Sequence, residues 1–299
     1  MSLFRIFTDN GFFHRSTDNR ASRRLQILLM PPPIGLVVAL SSEARTLVGP
    51  GRLQPMDGYG IRRVTGTPTL DLILVSAGIG VDAARRAAQG VIAQGASALL
   101  SVGLAGGLAP GVDTGHVILP SQLLQTDGRR IFGAWEPDPA VVKRAHDCLS
   151  ARGIPVHRGT VLTVDEGVLT TDAKAPLFDR LRGLAVDMES AAVARAASDA
   201  GIPFFGLRVV CDPAGRTVPQ ELYAFIDAGG TIRPGTIARS LVRRPALAFD
   251  MWVMGRLFRS ARSALKEAWR AAMEDGLLDI TVSSAACSST VSMDVGPNP

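Results

Sequence analysis

The chain has 299 residues, 46% hydrophobic and 20% charged, with a formal net charge of +5. That length fits one large domain or two small ones. Cys148, Cys211 and Cys287 stand far apart, and His14, His116, His146 and His157 are scattered, so neither set forms a metal or redox spacing. No run reaches the roughly 20 apolar residues of a spanning helix and none reads as a secretory segment, so the expected compartment is the reducing cytoplasm. The charge is uneven: Arg233 to Arg270 holds nine basic and two acidic residues. That excess exceeds the whole-chain value and excludes a nucleic-acid surface spread over the chain.

In chain order, residues 1–33 are polar and end in Pro31-Pro32-Pro33, the look of a disordered N-terminal extension. Ile34–Leu40 is an apolar strand. Leu70–Ser76 is a second, followed by a Gly78-Ile79-Gly80 turn and a helix over Asp82–Gln94. Ala96–Val102 is a third strand, leading into the glycine-rich loop Gly103 to Gly111. Val117–Pro120 is a short fourth strand, Ala140–Arg152 a helix ended by Gly153, and Gly159–Val164 a further strand. Ser190–Ala200 is alanine-rich and helical, stopped by Gly201 and Pro203, and Phe204–Cys211 is a buried strand. Strands alternating with helices predict an α/β sheet with helices on both faces. We take 34–232 as that domain, 233–275 as a basic amphipathic helical segment and 276–299 as a disordered tail.

Three motifs carry chemistry. The two glycine turns allow close backbone approach to a ligand, yet neither is a dinucleotide fingerprint or a phosphate-binding Gly-Lys-Ser/Thr loop. Asp187 and Glu189 flank Met188 at the start of a helix, where negative charge is favoured; a capping role alone also explains them. Asp212 ends the last strand, where open α/β sheets place ligand sites.

Taken together, Ser76-Ala77-Gly78-Ile79-Gly80, Gly103-Leu104-Ala105-Gly106-Gly107-Leu108, Val186-Asp187-Met188-Glu189-Ser190-Ala191-Ala192 and Asp212 resemble the purine nucleoside phosphorylase/nucleosidase superfamily over about residues 34–214. The resemblance implies a three-layer αβα fold with a mixed, partly barrel-like sheet, and an enzyme that cleaves N-glycosidic bonds. It makes 34–232 the catalytic domain. Within the superfamily, Asp212-Pro213-Ala214-Gly215, the Gly-Thr-Ile-Arg-Pro-Gly run at 230–235 and the Arg-Ser-Leu-Val-Arg-Arg-Pro run at 239–245 are most similar to the hopanoid-associated phosphorylases. That similarity implies phosphorolysis of adenosylhopane to adenine. Hydrolysis of methylthioadenosine or adenosylhomocysteine is the alternative, and a catalytically silent protein that binds a nucleoside or a membrane partner is the third reading.

The resemblance also assigns roles. Glu189 accepts hydrogen bonds from ribose hydroxyls, Met188 packs on the sugar, and Asp212 is the general acid at purine N7. The backbone of Val168 reads the adenine edge. Glu43 falls where nucleosidases place the carboxylate that activates water. Larger bacterial phosphorylases carry an arginine and a Ser or Thr at the positions of Ser101 and Leu104, so the usual phosphate site is not in place. Arg45, Ser76 and Ser101, with Gly78, Gly103 and Gly106, are the candidates for a substitute. Gly167 stands where nucleosidases often have a base-stacking aromatic. No metal or organic cofactor is implied, only inorganic phosphate as co-substrate. The expected partner is a purine nucleoside with an apolar 5′ substituent, and the superfamily implies a homo-oligomer.

Residues 246–272 read as one helix. With Arg256 at zero, Arg259, Arg262, Lys266 and Arg270 fall between about 240° and 360°, and Met254, Leu257, Phe258, Ala261, Leu265, Ala268 and Trp269 between about 100° and 220°. Trp252 breaks the pattern. Separate basic and apolar faces predict either peripheral contact with the inner face of a membrane or a terminal helix packed on the core.

Overall fold

The computed structural model describes residues 32–49, 53–56, 60–64, 71–223, 235, 239–240, 244, 247–277, 285–290 and 293–294. The expectation for 1–31, and most of the motif at 230–245, lies outside them.

Five consecutive apolar or glycine residues make β1 (Ile34–Val38), buried on both faces. It lies parallel to β4 (Leu72–Ser76) on one side and β5 (Ala98–Gly107) on the other. Two strands absent from the sequence reading, β2 (Leu53–Pro55) and β3 (Ile61–Val64), extend the sheet antiparallel beyond β4. Both are short, and Ile61-Arg62-Arg63-Val64 does not alternate, which leaves little periodic signal.

Beyond β5 the sheet closes. β5 pairs in parallel with β10 (Phe204–Asp212), which pairs antiparallel with β6 (Val117–Thr126). β6 runs parallel to β8 (Val156–Thr163), β8 parallel to β9 (Gly183–Asp187), and β9 returns antiparallel to β5. These five strands form a barrel. Closure removes sheet edges and sets strand ends from distant parts of the chain side by side. β7 (Arg130–Glu136) flanks it on β6.

Two expectations need correction. Gly103–Gly107 is not a loop: it is the end of β5, held by pairing to β10 and β9. Within the tail expected to be disordered, β11 (Ser288–Thr290) and β12 (Met293–Asp294) pair antiparallel with β7; residues 278–284, 291–292 and 295–299 lie outside the described residues.

Helices α1 (Ser41–Val48), α2 (Val81–Ala93), α3 (Pro139–Ala151), α4 (Thr171–Leu181) and α5 (Ser190–Asp199) cover the sheet, followed by the single turn α6 (Gln220–Tyr223). The last helix, α7 (Leu247–Glu274), is long. Its Ala261, Leu265, Ala268 and Trp269 sit in one cluster with Leu36, Leu100, Phe205 and Leu207. Most of the apolar face expected to be interfacial is therefore committed to the core; the expected boundary at residue 233 lies outside the described residues. No helix among the described residues is long and apolar enough to cross a membrane.

Because Leu265 is fully buried in that cluster, Leu265→Ala should lower unfolding free energy by about 2–5 kcal/mol. Urea denaturation checks this; a loss under about 0.5 kcal/mol would mean that α7 is a loosely held appendage.

Candidate active site

The site forms where β1, β5, β9 and β10 end together. β1 ends at Val38, and α1 follows after two residues. This short connection brings Glu43 back beneath the sheet, 2% exposed. Its Oε2 accepts a hydrogen bond from Leu40 N (2.9 Å) and its Oε1 one from Leu104 N (2.9 Å). The first is the return half of a capping box. The second crosses to β5, and Gly103 makes room for it: a Cβ there would stand 2.8 Å from Glu43 Oε1. Burial raises the Glu43 pKa, opposed by these backbone donors and by the charge of Arg208.

Asp187 and Glu189 have different environments. Asp187 is the last residue of β9, not part of the helix. Its Oδ1 accepts from Thr163 Oγ1 (2.7 Å) and from the backbone N–H groups of Glu189 and Ser190, capping α5. Its Oδ2 takes the Nε–H of Arg208 at 2.6 Å. Glu189 occupies the N-cap position but makes no side-chain cap. Its carboxylate crosses to Gly80 N (2.9 Å), at the start of α2. Gly80 has φ +106°, a conformation open to glycine. The capping explanation thus holds for Asp187 and not for Glu189, whose second oxygen accepts from Met188 N at 3.3 Å. Burial, then the Asp187 charge, push Glu189 up to about 7.

Arg208, on β10, joins these groups. It is 3% exposed, bonded to Asp187 and through Nη2–H to Ser101 Oγ (2.7 Å). Burial works against the cation, and the charges of Asp187, Glu189 and Glu43 outweigh it, so its pKa lies above the ordinary value.

Asp212 closes β10. Opposite β5 the register slips between Val210 and Asp212, so that Asp212 stands across from Gly106. Bulges re-aim side chains in this way beside sites. A Cβ on Gly106 would come within 3.3 Å of Asp212 Oδ2. That oxygen accepts from Lys174 Nζ at 2.6 Å. Lys174, on α4, is fully buried, and its ammonium also donates to the carbonyls of Asp212, Pro213 and Arg216 at 3.0–3.3 Å. Burial raises the Asp212 pKa, and Lys174 opposes it.

Val168 and Met188 pack on the same apolar cluster, with Leu108, Leu162 and Val186. Gly78 has φ +87°, as a tight turn after β4 requires. Of the phosphate candidates, Arg45 points away from the other two. Ser76 ends β4, Ser101 is engaged by Arg208, and Arg45 is exposed on the outer side of α1. Two residues on a helix differ by about 200°, so Arg45 and Glu43 point apart. Sequence reasoning missed Arg208, Thr163 and Lys174 as members of the site, and singled out Asp187 without its pairing to Arg208. A charged residue inside the apolar run Phe204–Cys211 was the available signal for Arg208; Lys174, in a polar helix, carried none. Among the described residues no group of three His, Cys, Asp or Glu side chains is arranged to hold a metal.

A profile of the phosphorylase superfamily matches residues 33–241. The chain belongs to the phosphorylase superfamily. It is 28% identical over 190 residues to the 5′-methylthioadenosine/S-adenosylhomocysteine nucleosidase of Chromohalobacter salexigens, covering 58% of this chain and 80% of that protein. It is 27% identical over 172 residues to the Bacillus cereus protein of that name, covering 52% and 74%. The fold matches the Neisseria meningitidis nucleosidase in complex with methylthio-immucillin-A at a TM-score of 0.61 and 17% identity, over 82% of this chain and 100% of that one. It also matches futalosine hydrolase of Helicobacter pylori at a TM-score of 0.61 and 17% identity, over 83% and 98%.

A raised Glu189 pKa has a consequence for stability. Its folded value, about 7, exceeds its ordinary 4.5, so its favourable contribution is complete below about 4.5 and is lost as pH rises through 7. Glu189→Gln should therefore be more stable relative to the parent at pH 8 than at pH 5. Urea unfolding at both values tests this, and a pH-independent difference would contradict it.

Proposed function

We propose that this protein hydrolyses the N-glycosidic bond of a 5′-modified adenosine, with water as the nucleophile. The carrying observation is Glu43, a buried carboxylate held by two backbone N–H groups within the cluster that contains Glu189 and Arg208. Its raised pKa suits a general base. Glu43 takes a proton from water, the water oxygen bonds to C1′, and the bond from C1′ to N9 breaks. Asp212 delivers its proton to N7 of the departing adenine. Glu189 receives the ribose hydroxyls and, with Glu43, opposes the positive charge that builds on the sugar. Met188 packs on the ribose, and the Val168 backbone faces the base edge.

Lys174 is a positioning residue. It occupies Asp212 Oδ2 and leaves the other carboxyl oxygen for N7. Phosphorolysis, with phosphate as co-substrate, fits these residues less well. A phosphate dianion would enter among Glu43, Asp187 and Glu189, beside an Arg208 already paired with Asp187. Like charges in so dry a place repel strongly. The relatives' names point to methylthioadenosine and adenosylhomocysteine as substrates; adenosylhopane is the third candidate, from the similarity of 212–215 and 230–245.

Incubating the protein with each of the three, with and without phosphate, should release adenine and a free ribose product in both conditions. A phosphorylated sugar formed only with phosphate would overturn hydrolysis, and absence of turnover would favour a silent binding protein. Asp212→Asn and Glu43→Gln should each lower kcat by about 10²–10⁴-fold. In the parent, activity should fall as pH drops through the raised Glu43 pKa, because the base must be ionised. An acid limb unmoved by Glu43→Gln would remove Glu43 from that role.

A further inference from the structure

The cleft between α1 and α7 lies apart from the carboxylate cluster and has a different character. It encloses about 740 Å³ and is lined by Arg45, Arg259, Arg262, Lys266 and Arg270 over a floor that includes Leu47, Val48 and Trp269. Arg262 is fixed by two hydrogen bonds to Thr46 Oγ1, at 2.8 and 3.0 Å. Arg270 stands 3.8 Å from Glu274. Arg45, Arg259 and Lys266 make no ion pair among the described residues. Two acidic residues of the helix lie nearby, exposed Glu267 at one margin and Glu274 beside Arg270. Unneutralised cations gathered over apolar walls suit an anion attached to an apolar body.

A second observation lies on the same helix face. At 100° per residue, Phe249, Trp252, Arg256, Arg259, Lys266 and Arg270 fall within an arc of about 100°. Phe249 is 67% and Trp252 55% exposed, and their rings stack at 6.0 Å. Arg256 lies over the Trp252 ring at 5.1 Å. The position of Trp252 that broke the sequence pattern is thereby explained: it belongs to the outward stripe, while the inward face packs on the core. Exposed Phe and Trp beside Arg and Lys is the composition of a surface that lies in the headgroup layer of a bilayer. Nucleic acid would use the cations but leaves the apolar walls of the cleft without a counterpart.

We propose that α7 docks this protein on a bilayer containing anionic phospholipid, with a lipid phosphate seated between Arg45, Arg259 and Lys266 and with Phe249 and Trp252 among the headgroups. The proposal stands independently of the reaction. The test is co-sedimentation of the full chain with phosphatidylcholine vesicles, with and without phosphatidylglycerol. Binding should require phosphatidylglycerol and weaken with added salt. Each of Arg259→Gln and Lys266→Gln should lower the partition coefficient about fivefold, and Phe249→Ser with Trp252→Ser should lower it further. Arg85→Gln with Arg86→Gln, on exposed positions of α2, should change it little. Unchanged thermal unfolding of the variants excludes misfolding as the cause. The proposal fails if the vesicles bind equally without phosphatidylglycerol or not at all. It also fails if the α2 variant loses as much as the α7 variants. Displacement by millimolar inorganic phosphate would assign the cleft to a free anion, and stronger capture by an oligonucleotide would assign the stripe to nucleic acid; either result overturns it.

Discussion

The buried guanidinium of Arg208 is the group on which the site depends. Three carboxylates, Glu43, Asp187 and Glu189, gather at the strand ends, and each is buried. Removing so many negative charges from water without a cation would cost several kcal/mol for each ion. Arg208 bonds directly to Asp187 and acts through space on Glu43 and Glu189. It does not neutralise all three. Asp187 is ion-paired to Arg208, whereas Glu43 and Glu189 are held by backbone N–H groups and keep raised pKa values. The three carboxylates thus divide into one that is ion-paired and two whose pKa values are raised.

The barrel explains how these residues meet. Glu43 comes from the first strand–helix connection, Asp187 and Glu189 from the junction of β9 and α5, and Arg208 and Asp212 from β10. Closure of β5, β10, β6, β8 and β9 into a ring puts these ends around one opening. Glycines at 103 and 106 then allow Glu43 and Asp212 to lie against β5, at distances that any side chain on those residues would disturb. A second buried pair, Lys174 with Asp212, lies at another side of the opening. Its ammonium has four oxygen neighbours, which accounts for a lysine with no contact with solvent.

The outer face of the molecule is built on different terms. α7 uses one side to complete the hydrophobic core and turns a basic, aromatic side outward. A single amphipathic pattern therefore serves two surfaces, and residues 261–272 settle which side faces inward.

Much of this was legible in the amino-acid sequence. The apolar runs at 34–40, 70–76 and 204–211 and the alanine-rich helix after Glu189 follow from local periodicity and propensity, and their order implied the αβα architecture. Glu189 stood out at a helix start and Asp212 at the end of an apolar strand, while Glu43 stood out only through the family resemblance. What local pattern does not contain is the closing of the barrel, since pairing between β5 and β9 is a long-range event. For the same reason the sequence hid the partners: Lys174 with Asp212, Arg208 with Asp187 and Ser101, and the transfer of Arg45 to an outward cleft. Residue types and their spacing determined which groups were capable of chemistry. Only the tertiary structure decided which carboxylate is ion-paired, which keep raised pKa values and which cations are left facing outward, because charge compensation depends on distance in space and not on distance along the chain.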